Sequence, residues 1–245
     1  MKIIAPEKVK IKFIFIITLF GIFSALAIGT HLIDKNATVD ASGVKISHTV
    51  IIDAGHGGVD GGTSAGDGTL EKDLNLQIAL KLNDILQAMN IDTVMIRTDD
   101  ISIHDENAET IRQKKVSDLK NRLKIINNTD NAIFVSIHQN HFSSPEYSGA
   151  QVFYSKNNNH SMKLADKIRD KFVSYFQPEN TREIKQSGNE IYLLRHAEPP
   201  AVMVECGFLS NSTEAERLKN SDYQHTLAFT VAMGISDYIN SSEGI

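Results

Sequence analysis

Two histidines, one thiol and a few carboxylates set the chemistry open to this chain. His56 follows the short β-branched run Thr49–Asp53, which the glycines of AGHGG stop, and His138 follows the apolar run Asn131–Ile137. Glu205 follows a third run, Ala201–Val204. A catalytic zinc takes three protein ligands and keeps a fourth position for water, and neutral imidazoles and carboxylates suit it. Cys206 is the only cysteine, which excludes an internal disulfide and a Cys-rich metal site, so a carboxylate must complete a His-His set. Glu71 is available, at the end of a glycine-rich loop over residues 57–69 that can fold back over the same edge. By itself Glu71 reads first as a solvated pre-helical carboxylate favoured by the helix dipole. Histidines after strands also serve as capping or buried hydrogen-bonding groups. A second carboxylate beside activated water can take its proton and pass it to a leaving amine, and Glu205 suits that role.

These residues need a scaffold that brings them to one place. Leu74, Ile78, Leu82, Ile85 and Met89 recur at helical spacing, which predicts an amphipathic helix over 73–89. Asp92–Arg97 is the next strand. Ile111, Val116, Leu119, Leu123 and Ile126 predict the apolar face of a helix over 109–127. Strands are expected at 151–154 and 191–194, and helices at 160–176, 213–219 and 222–240. Alternating strands and helices imply an α/β layer fold with a mostly parallel sheet, in which ligands bind beyond the carboxyl ends of the strands. His56, His138 and Glu205 thereby converge on one edge.

The segments IIDAGHGGVDGG (51–62), LEKDLNL (70–76), SIHQN (136–140) and VECGFLSN (204–211) resemble, in order and spacing, the motif series of the zinc N-acetylmuramoyl-L-alanine amidases. The resemblance runs from about Val50 to Tyr238. It implies that His56, Glu71 and His138 hold zinc and that Glu205 is the catalytic glutamate. It also implies a single catalytic domain built on a twisted, mostly parallel six-stranded sheet with helices on both faces. The activity implied is hydrolysis of the amide between N-acetylmuramic acid and L-alanine in peptidoglycan. The stretch 191–211, IYLLRHAEPPAVMVECGFLSN, is especially similar to germination-specific amidases of endospore-forming bacteria, which prepare cortex peptidoglycan for muramic-δ-lactam formation. Some family members carry an inserted helix that blocks the metal. Between His138 and Glu205 this chain has no long apolar helix beyond 160–176, so self-blocking is not expected.

Other residues carry weaker signals. Arg97 ends a strand and can meet a substrate carboxylate or form a structural ion pair. Asn140 can hydrogen-bond substrate or brace its loop. His141 can approach the metal, though a rim position is the simpler reading. Cys206 adjoins Glu205 on a strand, and neighbours on a strand point to opposite faces, so its thiol is expected in the core.

Lys2, Lys8, Lys10 and Lys12 against Glu7 give residues 1–29 a charge of +3, which leaves −8 on the rest of a chain whose net charge is −5. An acidic body argues against nucleic acid as a partner, since phosphate binding draws its affinity from Lys and Arg. The run Phe13–Gly29 is nearly free of polar side chains and follows four lysines, which reads as a signal peptide or membrane anchor. Residues 30–47 read as a linker and 48–245 as the catalytic domain. An extracytoplasmic location follows, and the germination resemblance points to the forespore intermembrane space or cortex. No wall-binding repeat is recognisable, so targeting is expected to rest on the cleft, the N-terminal segment or a regulatory partner protein. Two alternatives remain at this level: a non-catalytic zinc-dependent peptidoglycan-binding protein, and another zinc peptidase or deacetylase on the same fold.

Overall fold

The computed structural model describes residues 48–242. The expected signal or anchor and the linker lie outside these residues. Among the described residues no helix is long and apolar enough to cross a membrane.

The β-branched run predicted as a strand is β1 (Thr49–Ala54), buried from Val50 onward. The other strands are β2 (Asp92–Met95), β3 (Ala132–Asn140), β4 (Gln151–Tyr154), β5 (Lys185–Gln186) and β6 (Ala201–Phe208). They form one sheet in the order β2-β1-β3-β6-β4-β5. All neighbouring pairs are parallel except β4 with β6. The central strands are apolar along nearly their whole length because both of their faces are covered. On one face, α1 (Glu71–Ala88), α3 (His160–Lys171) and α6 (Ser221–Ser242) pack Leu74, Ile78, Leu164, Ile168, Leu227 and Val231 against the Ile133, Val135 and Val204 side of the sheet. On the other, α2 (Ile111–Asn128) and α4 (Tyr192–His196) bury Ile126, Leu193 and Leu194 against Ile51, Phe134 and Met203. α5 (Ser212–Lys219) follows β6.

Three local expectations need correction. Residues 191–194 fall at the start of the short helix α4 and do not form a strand. Four apolar or aromatic residues in a row fit either state, and periodicity cannot separate them. The helix expected over 160–176 changes to π geometry at Phe172–Phe176. On α2, Ile111 and Val116 are 66% and 46% exposed, whereas Asp118 and Arg122 are buried. That face looks onto backbone carbonyls of the β1 end, and Arg122 donates to Ala54 O at 3.1 Å and His56 O at 2.7 Å. Apolar side chains would leave those acceptors unpaired. A capping box between Thr110 and Gln113 starts this helix.

Candidate active site

His56 leaves β1 with a left-handed backbone, φ 63°. A non-glycine residue in that region costs on the order of 1 kcal/mol or more and persists where its surroundings fix it. Arg122 fixes it here through the His56 carbonyl. Below, Arg122 pairs with Asp53 and, at 2.6 Å, with Asp118. Ser136 Oγ donates to the other Asp53 oxygen at 2.6 Å. Burial raises the Asp53 carboxyl pKa, but the Arg122 charge and the Ser136 hydroxyl outweigh it and hold the group below the usual carboxylate range.

Glu71 is the first residue of α1, and its backbone N–H donates to Thr63 O at 2.9 Å. Its side chain is nearly sealed, 3% exposed, and lies between the two histidines. Oε2 is 3.2 Å from His56 Nε2, and Oε1 is 3.0 Å from His138 Nδ1. Oε1 also accepts from Gln139 N at 3.1 Å and Asn75 Nδ2 at 3.3 Å, while Oε2 accepts from Thr63 N at 2.9 Å. Burial pushes this carboxyl up, yet the hydrogen bonds and charges of both histidines bring it well below its ordinary range. The two imidazole rings stand edge to face, with centroids 5.0 Å apart.

Two glycines are required by this packing. A Cβ on Gly55 would lie 2.2 Å from His138 Nε2, and one on Gly62, which has φ +69°, would lie 2.5 Å from Glu71 Oε2. Gly55 therefore closes the Nε2 side of His138 and leaves Nδ1 facing Glu71.

One donor atom from each of His56, Glu71 and His138 lies within 4.8 Å of the others, a possible metal site. Two imidazoles and one carboxylate without a thiolate fit a catalytic zinc. His138 and Glu205 lie inside β3 and β6, directly opposite each other in register, and do not follow the strands as the sequence suggested. Glu205 shares its sheet face with Met203, which lines the cleft beside His138. Its Oε2 is buried without a hydrogen-bond partner. Burial raises its carboxyl to about 7, partly offset by His138. A carboxyl poised there can accept or donate a proton near neutral pH.

A cleft of about 280 Å³ opens beside these groups, lined by His56, Asp60, Lys115, His138, Ile191 and Tyr192 among others. The residues mistaken for a strand thus form one of its walls. Asp60, four residues after His56 in the first motif, escaped the sequence reading although its spacing was visible. Its Oδ2 sits 3.0 Å from His56 Nδ1. Asp60 is held below the usual carboxylate range despite its burial, and His56 is raised to about 9 by Asp60 and Glu71 against its own desolvation.

The remaining expectations divide. Arg97 is 2% exposed and donates to the carbonyls of Ala54, Gly55, Lys72 and Asp99 at 2.8–3.1 Å. It clamps the loops beneath the site and presents no guanidinium face to a substrate. Asn140 ends β3, where its carbonyl accepts from Leu209 N at 2.8 Å. His141 is exposed and outside the converging donor group. Cys206 is fully buried in the core on the opposite face from Glu205, and burial pushes its thiol far up. Glu214 was not anticipated. Its carboxylate accepts from Phe208 N at 2.7 Å and Gly149 N at 2.8 Å, which secures β6 where its register with β3 shifts.

A candidate donor group with a buried carboxyl on the strand next to His138 is an arrangement that could serve a hydrolase. Comparison with known proteins narrows that class. Residues 50–237 match the family model for N-acetylmuramoyl-L-alanine amidase, and the chain belongs to that family. It is 35% identical over 189 residues to the germination-specific N-acetylmuramoyl-L-alanine amidase of Bacillus subtilis, covering 77% of this chain and 78% of that protein. Among solved structures, the CwlD amidase of Clostridioides difficile, in complex with the GerS lipoprotein, is 41% identical with a TM-score of 0.76. That match covers 80% of this chain and all of CwlD. An N-acetylmuramoyl-L-alanine amidase from Clostridium difficile 630 is 34% identical with a TM-score of 0.69, over 80% of this chain and 98% of that one.

Proposed function

We propose that this amidase hydrolyses the amide joining the lactyl group of N-acetylmuramic acid to L-alanine, with zinc held by His56, Glu71 and His138. The observation that carries the reading is the His-Glu-His donor group beside a buried glutamate that has an unpartnered oxygen. Zinc, when bound, polarises the scissile carbonyl and makes water acidic enough to attack near neutral pH. Glu205 takes the proton from the attacking water and returns it to the departing alanine nitrogen. Its freedom from hydrogen bonds leaves Oε2 available for both steps. Gln139 N, Asn75 and Thr63 N hold Glu71 in its donor position, so the ligand set needs little reorganisation on binding.

Spore-cortex peptidoglycan, modified toward muramic-δ-lactam outside the cytoplasmic membrane, is the substrate supported by the germination-specific relative. The neighbour seen with a lipoprotein supports a regulatory protein partner for this chain as well. The apolar run at 13–29 supports export or membrane attachment.

The test is digestion of purified peptidoglycan by wild type and Glu205→Gln, with zinc content measured on both. The variant should keep its zinc and lose about 100-fold or more in stem-peptide release. Undiminished release would remove Glu205 from the mechanism. A newly exposed group other than the alanine amine would indicate a peptidase or deacetylase.

A further inference from the structure

α2 contacts the candidate site through two charged side chains seven residues apart. Residues at that spacing lie two turns apart on one helix face. Arg122 holds the His56 carbonyl at 2.7 Å. Lys115 Nζ lies 2.9 Å from Asp60 Oδ1, and the other Asp60 oxygen lies 3.0 Å from His56 Nδ1. Gly62 N, at 3.3 Å, also donates to Asp60 Oδ1. One helix therefore fixes His56 at its backbone and, through Asp60, at its ring.

This arrangement has a chemical consequence for His56. Both ring nitrogens of His56 face carboxylates, Nδ1 toward Asp60 at 3.0 Å and Nε2 toward Glu71 at 3.2 Å. A metal held beside Glu71 would take the place of the Nε2 proton, and Asp60 would then keep the remaining proton on Nδ1 and leave Nε2 as the lone-pair donor. His138 is arranged the other way round, with Gly55 closing its Nε2 side and Nδ1 turned to Glu71. The two histidines thus turn different ring nitrogens toward Glu71, and of the two only His56 has a carboxylate against its other nitrogen.

We infer that Lys115 and Asp60 are positioning residues that set the His56 tautomer and ring orientation for metal binding, with Lys115 holding Asp60 in place. A carboxylate behind a ligating histidine commonly contributes 10- to 100-fold in metal affinity. Lys115 is about half exposed, so its share is smaller. It also lines the cleft beside Asp60, which links the support of the metal site to the surface that substrate meets.

The inference rests on the zinc reading above, and chelator competition against purified protein separates the two. Asp60→Asn should weaken zinc binding about 10- to 100-fold, with the metal-free protein still folded and unfolding cooperatively. Lys115→Met should weaken it about two- to fivefold, and Lys115→Arg should restore it. Nitrogen-15 spectra of the zinc-loaded wild type should show His56 protonated at Nδ1. Equal zinc affinity in wild type and Asp60→Asn would overturn the inference while leaving the ligand set intact. A wild-type chain that takes up no zinc would overturn both.

Discussion

Arg97 donates to four backbone carbonyls from a position that solvent hardly reaches. Replacing it with methionine strands those acceptors, and a buried unsatisfied group costs about 1–3 kcal/mol. Arg97→Met should therefore lose roughly 3–5 kcal/mol of unfolding free energy in denaturant titration. The KM of its folded fraction for peptidoglycan should be unchanged, and a raised KM without lost stability would return Arg97 to the substrate. Glu205 makes a different prediction, for the metal-stripped protein. Its folded pKa is about 7 against an ordinary 4.5, so between those values the folded chain binds more protons than the unfolded one. Its contribution to stability is complete below about 4.5 and falls as pH rises toward 7. Across that window wild type should lose stability relative to Glu205→Gln. Parallel stability curves would show that the carboxyl is not perturbed.

α2 is where element-scale physics departs most from sequence pattern. Its buried side chains include Asp118 and Arg122, and Arg122 is bonded to Asp53 of β1 as well as to the loop after it. Arg122→Met leaves two carboxylates without their buried counter-charge, which costs about 3–5 kcal/mol. The loss should appear in chemical denaturation. A change under 1 kcal/mol would mean that Asp53 and Asp118 find other partners. Hydrophobic periodicity located α2 and its packed residues Leu119, Leu123 and Ile126, but it also put Ile111 and Val116 on the inward face and missed Asp118 and Arg122, because a buried charged stripe looks like a solvated one when the partners of Arg122 on the β1 side lie 66 to 69 residues away in sequence. The same distance hid Glu214, whose carboxylate meets Gly149 from 65 residues off. β1, β3 and β6 were legible because strands covered on both faces are apolar throughout. α4 was not, since Ile191–Leu194 is too short for its period to show. Of the candidate site, His56, His138 and Glu205 could be read from the apolar runs before them, although His138 and Glu205 prove to lie within β3 and β6. Glu71 needed the motif resemblance, because a glutamate at a helix start looks the same whether it faces water or a metal.

At the scale of the whole molecule, the sheet order places β1, β3 and β6 side by side, and these strands carry or lead into three of the four residues proposed for catalysis. Glu71 arrives from α1, so the donor group joins separate parts of one domain. Anything that binds the folded donor group and not the unfolded chain must stabilise the whole domain. Free zinc at about 100 times its dissociation constant should add about 2.7 kcal/mol to unfolding free energy, read as a rise in melting temperature. Magnesium at the same concentration should add far less, since it prefers an octahedral oxygen set. Equal shifts from both ions would mean that binding is not at the histidines.

The central claim is that this domain is a zinc amidase acting between muramic acid and alanine. The most direct measurement is mass analysis of the products from purified spore-cortex peptidoglycan, incubated with native, fully metal-stripped and zinc-reconstituted protein. Native and reconstituted protein should release stem peptides that begin with a free L-alanine amine and leave unsubstituted muramic acid, and stripped protein should release none. Full release by the stripped protein, or release of peptides with any other new terminus, would contradict the account.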